Sequence, residues 1–344
     1  MSRPLDPLWR LLDEQADPAH PVEGWRRELG EAFDLAEPWL RAARGRATTW
    51  PCGLPGGVGC LRRVVEHAPD DVVAVCGDEP PRCARVEIAR TDLALRRLDL
   101  EAVAEVVRDT SGLPPGELRR QGREVVIGPL TLGRRRVVIA LTRETSTLAL
   151  LELAEGLGHR HGEVRVVLLA PIAEAPEAAH VRAFERVNAD VLALRDVVVL
   201  DGGRPVADVS DWLLHRRGEL AGFDPLPLLA RRYDLVMDPA RDQAGLGGAW
   251  VRFGKRRAPF RLLTALATTG DALVTRIELF GWVWPGDDTA GNETWEANLR
   301  SHKRTLAKLI GDELVEGVEG DTYTGGYRLR LAPHRIAWWS SVAG

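Results

Sequence analysis

The sequence predicts a multidomain α/β protein, and three observations favour this fold class. The chain has 344 residues, which is long for one domain. Strand-like and helix-like segments alternate between residues 94 and 201, and all four cysteines lie between residues 52 and 83. We therefore expect a helical segment (1–50), a cysteine-bearing hairpin (51–90), an α/β domain (91–220) and a C-terminal domain of helices and a hairpin (233–331).

Composition and charge narrow the class of protein. The apolar fraction of 45% is ordinary for a globular chain, and no apolar run reaches the length of a membrane span. The first fifteen residues lack the basic region and apolar core of a signal peptide, so we expect a cytoplasmic protein with no membrane partner. Residues 251–344 hold 13 Lys+Arg and 11 Asp+Glu, whereas the rest hold 33 and 39.

The first fifty residues have apolar side chains at spacings of three and four, which predicts helices. Trp9, Trp25 and Trp39 fall on the apolar faces and are interpreted as packing anchors.

The cysteine segment predicts a small hairpin between two loops. Residues 62–67 and 72–75 are strand-like and are separated by a turn, and Cys52, Cys60, Cys76 and Cys83 lie in the flanking loops. Four thiolates satisfy the tetrahedral preference of Zn²⁺, so this is a zinc-ribbon-like arrangement with a structural metal. The spacing lacks tight C-x2-C pairs, so four unrelated reduced thiols remain an alternative, and disulfides are disfavoured in the cytoplasm.

The middle of the chain predicts a parallel, Rossmann-like sheet. Strands are expected at 124–126, 137–141, 164–170 and 196–200, with helices at 99–108, 146–157, 178–188 and 210–217. Arg143, Thr145 and Ser146 follow one strand and suit either an anionic effector or, by the preferred interpretation, a helix N-cap.

No catalytic set is found in this domain. It has neither of the glycine-rich nucleotide fingerprints, and His159 and His161 are interpreted as a solvated helix end. Asp190, Asp196 and Asp201 invite comparison with a phospho-accepting receiver domain, but the region has no lysine. We therefore expect that the protein is not an enzyme.

The C-terminal hundred residues contain helix-like segments at 259–269, 276–284 and 292–310, then a hairpin at 314–331. This order is the layout of a winged helix, a helix-turn-helix variant. In the third segment Trp295, Leu299, His302, Leu306 and Leu309 form one apolar stripe, and four cations lie off that stripe: Arg300, Lys303, Arg304 and Lys308.

Residues 233–331 resemble the OmpR/PhoB-type winged-helix effector domain. The resemblance is carried by residues 233–238 and 250–253 as a small sheet, Val283-Trp284 at the end of the second helix, Thr294-Trp295-Glu296, Leu299-Arg300 and the return strand Gly325-Gly326-Tyr327-Arg328-Leu329. It implies that Phe260, Leu262, Leu263 and Leu266 of the first helix face inward.

The resemblance also implies how duplex DNA would be bound. Ala297, Arg300, Ser301 and Arg304 would face the major groove, Lys303 and Lys308 would lie nearer the phosphates, and Thr322, Tyr323 and Thr324 would form the wing tip. The sequence departs from the family in its acidic hairpin, which carries Glu316, Glu319 and Asp321.

The sequence therefore predicts a DNA-binding transcription regulator, with double-stranded DNA, RNA polymerase or another protein, or a second copy of the chain as partners. The alternative is a protein-interaction module in a nucleic-acid-associated assembly, in which the winged helix and the zinc ribbon bind protein partners.

Overall fold

A computed structural model describes residues 3–15, 17–52, 60–162, 164–172, 176–217, 219–220, 223–286 and 293–339. Residue 292, the expected start of the third C-terminal helix, and residues 53–59 of the cysteine loop lie outside them. The chain is mixed α/β and divides into two compact units: Met1–Thr131 with Arg136–Asp208, and Leu132–Arg135 with Val209–Gly344. Within the described ranges, no helix combines the length and apolar character needed to cross a membrane.

Unit 1 contains seven labelled helices and fourteen strands in its described part. The helices are α1 (Asp6–Glu14), α2 (Val22–Leu29), α3 (Phe33–Ala36), α4 (Leu100–Thr110), α5 (Thr147–His161), α6 (Ala178–Arg186) and α7 (Leu194–Val197). The strands are β1 (Ala19–His20), β2 (Leu40–Arg46), β3 (Thr49–Trp50), β4 (Arg62–Ala68), β5 (Asp71–Val75), β6 (Val86–Glu87), β7 (Ala94–Leu98), β8 (Leu118–Gln121), β9 (Glu124–Leu132), β10 (Arg135–Thr142), β11 (Arg165–Ala170), β12 (Ala189–Ala193), β13 (Val198–Asp201) and β14 (Arg204–Ala207).

The N-terminal fifty residues are helical only in part. Trp9, Trp25 and Trp39 are buried, as expected of packing anchors. Residues 40–46 and 49–50, however, are strands, and β2 pairs antiparallel with β7 in a sheet of order β1-β7-β2. This corrects the prediction of helix, because pairing with β7 overrides the helix preference of an Ala- and Arg-rich segment.

The cysteine segment forms a four-stranded antiparallel sheet of order β3-β4-β5-β6, and the predicted hairpin is β4–β5. The buried cluster beneath this sheet is small, consisting of Ala47, Val72, Ala74, Ile88 and Leu93. A core of this size gives the segment little apolar burial of its own.

The middle sheet has the order β12-β11-β10-β9-β8 and is mixed. Strands β10, β11 and β12 are parallel, but β8 and β9 are antiparallel. The prediction of a parallel sheet is therefore correct only for three strands, because the two-residue turn between β8 and β9 is too short for a crossover. Residues 198–201, expected in this sheet, pair antiparallel with β14 instead.

Unit 2 contains α8 (Ser210–His215), α9 (Leu226–Leu229), α10 (Arg257–Thr269), α11 (Arg276–Val283) and α12 (Glu293–Ile310). Its strands are β15 (Leu235–Asp238), β16 (Gln243–Leu246), β17 (Ala249–Arg252), β18 (Val274–Thr275), β19 (Val315–Val318), β20 (Gly326–Leu329) and β21 (Ile336–Trp338). The first sheet has the order β17-β16-β15-β21, with β21 parallel to β15, and the second has the order β18-β20-β19.

Helices α10, α11 and α12 share one core with both sheets of unit 2. Phe260, Leu262, Leu263 and Leu266 of α10 are buried in it, as the resemblance implied. Helix α11 begins with a capping box, in which the Thr275 hydroxyl accepts from the backbone N–H of Glu278 and the Glu278 carboxylate accepts from that of Thr275. This reciprocal pair fixes where the second helix starts, directly after β18.

Candidate metal centre and candidate nucleic-acid interface

The four cysteines lie at one end of the β3–β6 sheet. Cys52 follows β3, Cys60 precedes β4, Cys76 follows β5 and Cys83 precedes β6. Because neighbouring strands in this sheet are antiparallel, these four strand ends meet at the same edge. The antiparallel pairing of these strands therefore brings the four thiols together.

The candidate ligand atoms form two groups of three that share Cys60: Cys52, Cys60 and Cys83 in one group, and Cys60, Cys76 and Asp78 in the other. The Sγ of Cys60 lies 3.3 Å from that of Cys76 and 3.5 Å from that of Cys83. The ligand atoms of Cys52, Cys60 and Cys83 all lie within 4.8 Å of one another. Four thiolates around Zn²⁺ at about 2.3 Å stand about 3.8 Å apart, whereas a disulfide needs about 2.05 Å. None of the four cysteines forms a disulfide. The cluster is able to hold a metal ion.

Backbone N–H groups and one guanidinium stabilise thiolates in the cluster. The N–H groups of Asp78 and Arg82 lower the pKa of Cys76 to about 6. The Arg82 bond is 3.3 Å long. Hydrogen bonding with Cys76 raises the pKa of the Cys60 thiol to about 12. The cluster therefore favours a thiolate at Cys76 beside a protonated thiol at Cys60, and a bound metal ion would displace that remaining proton into solvent.

Arg62 belongs to this site, although the sequence analysis missed it. Its side chain is buried, and its Nε–H donates to the Sγ of Cys83 over 3.4 Å. A buried guanidinium needs a hydrogen-bond acceptor, and the Cys83 sulfur is an acceptor for it. Its place two residues after Cys60, on a strand, was the only available signal.

Helix α12 has a packed face close to the predicted stripe. Trp295, Leu299 and Leu306 are buried, whereas His302 and Leu309 are half-buried and Ile310 is buried. The Trp295 ring lies 5.1 Å from that of Phe280, and the His302 ring lies 5.6 Å from that of Trp284. Burial lowers the pKa of His302. The stripe holds α12 against α11 and fixes which side of α12 faces outward.

The outward side carries most of the predicted contact residues. Exposed positions on α12 are Ala297, Arg300, Ser301, Arg304 and Lys308. Lys303 is half-buried, and its Nζ lies 3.8 Å from the Asp312 carboxylate. Arg300, Arg304 and Lys308 thus share one exposed helix face. Arg300 also has an intramolecular partner, since its guanidinium lies 3.8 Å from the Glu296 carboxylate.

The hairpin tip is tied to both helices. The Thr322 hydroxyl donates to the Glu296 carboxylate over 2.7 Å, and the backbone N–H of Ile277 donates to the Thr322 carbonyl over 3.2 Å. Tyr323 and Thr324 are exposed, with Tyr323 72% accessible. The tip therefore has a defined position beside α12.

Two of the three acidic hairpin residues have internal partners. Glu316 pairs with Arg328 at 2.7 Å and with Arg330 at 3.4 Å, and these bonds lower its pKa. Asp321 accepts from the backbone N–H groups of Tyr323 and Thr324, which lowers its pKa. Two arginines therefore balance the charge of Glu316, whereas Asp321 and Glu319 are exposed acids.

Arg276 is a further cation of this surface that the sequence analysis did not select. Its guanidinium donates to the Gly320 carbonyl in the hairpin over 2.7 Å. Burial raises the pKa of Tyr327, and the charges of Arg276, Arg300 and Arg304 oppose that rise. Guanidinium groups of two helices, α11 and α12, therefore act electrostatically on this one tyrosine.

The remaining predicted positions have structural roles. The Ser146 hydroxyl accepts from the backbone N–H of Ala149 at the start of α5, which confirms the N-cap interpretation. Asp190 forms two hydrogen bonds with Arg165, and Asp196 lies 2.7 Å from the Arg3 guanidinium. These two carboxylates have arginine partners rather than the surroundings of a phospho-acceptor.

Comparison with known proteins assigns no family. No protein-family model and no curated protein matches the chain. One similar solved structure is described as a novel family of redox sensors in the streptococci evolved from two-component response regulators. It has 16% sequence identity and a TM-score of 0.23, and the match covers 53% of this chain and 74% of that chain. Another similar structure is EndoMS in its apo form, which has 20% sequence identity and a TM-score of 0.21. The match covers 39% of this chain and 64% of that chain. Overlaps this low assign neither a fold nor a function.

Proposed function

We propose that the protein is a duplex-DNA-binding transcription regulator in which residues 233–331 form a winged helix. The observation that carries the proposal is the exposed cationic face of α12, where Arg300, Arg304 and Lys308 lie opposite the buried stripe. An α-helix fits the major groove, and arginine can bind guanine edges or phosphates there.

The hairpin supports the same arrangement. Its tip is held beside α12 by the Thr322–Glu296 hydrogen bond, and Arg276 adds a third guanidinium next to Arg300 and Arg304. Because Glu316 and Asp321 have internal partners, the hairpin repels phosphates less than its composition indicates. In this proposal α12 contacts bases, Arg276 and Lys308 contact phosphates, and Tyr323 contacts the neighbouring backbone.

We propose that the cysteine cluster holds a structural Zn²⁺. Soft thiolate donors, sulfur spacings near those of a tetrahedron and N–H donors to sulfur fit this ion. Four thiolate ligands leave no open coordination position, so the ion would stabilise the β3–β6 sheet rather than catalyse a reaction. Unit 1 would then contribute sensing or recruitment.

The DNA-binding proposal is tested with sheared genomic duplex DNA at low salt and a double variant, Arg300→Ala with Arg304→Ala. We expect binding to fall at least tenfold, because both guanidiniums that enter the major groove are removed. The matched control is Arg182→Ala with Arg186→Ala, two exposed arginines four residues apart on α6. Equal binding by the two double variants would show that α12 is not the DNA-contacting helix.

A protein-interaction module is the second candidate, and one observation favours it. Trp282 on α11 is 49% accessible, as is unusual for a large apolar ring unless a partner covers it. If the wild-type chain retards no genomic DNA at low salt, the winged helix and the cysteine sheet would be surfaces for protein partners such as RNA polymerase.

A further inference from the structure

Unit 1 contains a cavity of about 510 Å³ that the proposed DNA and zinc sites do not use. Its walls come from β2, β7, the first turn of α4, the β8–β9 turn and the residues after β10. This volume lies in the range of sites for small organic ligands, about 300–1,000 Å³. Five arginines line it: Arg41, Arg97, Arg120, Arg123 and Arg143.

The carboxylates at the cavity are fewer than the guanidiniums. Four acidic side chains line it against five arginines, and Asp17 is shared by Arg143 and Arg97, the latter at 3.7 Å. One carboxylate serving two guanidiniums leaves positive charge that an anion can take up.

The other pairs are weak enough to exchange partners. They are Arg41–Asp99 at 3.5 Å, Arg120–Glu101 at 3.4 Å and Arg123–Glu144 at 3.1 Å. The arginines in these pairs are more than half exposed, so solvent screens each pair and its contribution to stability is small. A ligand that offers a better acceptor can therefore displace the carboxylates at little cost.

The side chain of Arg143 is held in place within the cavity. Its side chain is 18% exposed and donates to the Asp17 carboxylate and the Leu98 carbonyl. Its Nε–H is buried and has no hydrogen-bond partner among the described residues. Burial lowers the pKa of Arg143, and the charges of Arg97 and Arg120 add to that effect against Asp17. A buried cation beside two others is stabilised by an incoming anion.

We propose that this cavity binds a phosphate-bearing small molecule of nucleotide size. Guanidinium forks bind phosphate oxygens bidentately, and five arginines suit two or more phosphoryl groups. Leu98, Leu100 and Val125 also line the cavity, and each is at most 7% exposed. Glu101 and Glu144 are acceptors for sugar hydroxyl or base amino groups. The site thus recognises phosphate through side chains rather than through a glycine-rich loop.

The test is calorimetric titration of the full chain with inorganic pyrophosphate and with the mono-, di- and triphosphates of the common nucleosides, beside the parent nucleosides. We expect at least one phosphorylated compound to bind and its nucleoside to bind at least tenfold more weakly. Arg120→Gln and Arg97→Gln should each weaken binding at least tenfold. The matched control is Arg119→Gln, the preceding residue on β8, which pairs with Glu117 and does not line the cavity.

Arg97 and Arg120 have half-exposed side chains, so both variants are expected to fold with an unchanged thermal midpoint. The proposal is overturned if no compound binds at millimolar concentration, or if both variants bind like Arg119→Gln. It is also overturned if a 5′-phosphorylated oligonucleotide binds and every mononucleotide fails, because the ligand would then be a polymer.

Discussion

The Arg165–Asp190 pair gives a sharp test of whether Asp190 is structural. The Arg165 Nε–H donates to one Asp190 oxygen over 2.7 Å and its Nη2–H to the other over 3.0 Å. The two side chains are 12% and 10% exposed, so solvent screens the pair little. Asp190→Ala leaves a buried guanidinium without this carboxylate, and such changes cost about 3–5 kcal/mol. For a unit of about 200 residues this corresponds to a fall of about 10 °C in the thermal midpoint.

Urea unfolding followed by circular dichroism measures this loss, with Asp201→Ala as control because Asp201 is exposed at the end of β13. We expect the control to change the free energy of unfolding by less than about 0.5 kcal/mol. The double variant Arg165→Met with Asp190→Leu should recover most of the loss, since apolar side chains of similar size replace both charges. A loss below about 1 kcal/mol for Asp190→Ala would refute the argument, because the pair would then contribute no more than a surface ion pair.

Two further predictions concern the proposed zinc site and His302. Elemental analysis of the purified protein should find one zinc ion per chain. The Cys83→Ser variant should lose the zinc, whereas the control Asp70→Ala, in the β4–β5 turn, should retain it. Zinc retention in Cys83→Ser would contradict the assignment. Burial lowers the pKa of His302, so the unfolded chain, with a value near 6.5, takes up the proton first as the pH falls. The thermal midpoint should therefore drop between about pH 7 and pH 5.5. The His302→Asn variant should show a smaller drop than the control His67→Asn, in which an exposed histidine is replaced. An equal drop in both variants would argue against a buried His302.

Sequence patterns predicted the structural features that depend on interactions between nearby residues. The stripe of α12, the N-cap at Ser146 and the β4–β5 hairpin all follow from neighbours within a few residues, and the structure has each of them. The clustering of four cysteines in a short segment likewise predicted that they lie close together, and the pairing of β3 and β6 with the β4–β5 hairpin achieves this.

Features that depend on contacts between distant segments of the chain were not predicted from the sequence. Residues 40–46 become strand only through β7, more than forty residues later. Strand β12 follows α6 almost directly, where Asn188 has a φ of 54°, and no glycine or proline marks the change. The five arginines of the cavity come from four separate segments, so no spacing in the sequence predicts the cavity.

The pairing of β21 with β15 has a consequence for synthesis on the ribosome. Strand β15 is made about a hundred residues before β21, which pairs with it in parallel, and the Asp234–Arg335 ion pair and buried Trp339 belong to the same late closure. The nascent chain must therefore carry β15 with an uncovered edge while the three helices emerge. A tag or truncation that disturbs residues 335–339 should lower the yield of soluble chain even when α12 and the hairpin are intact.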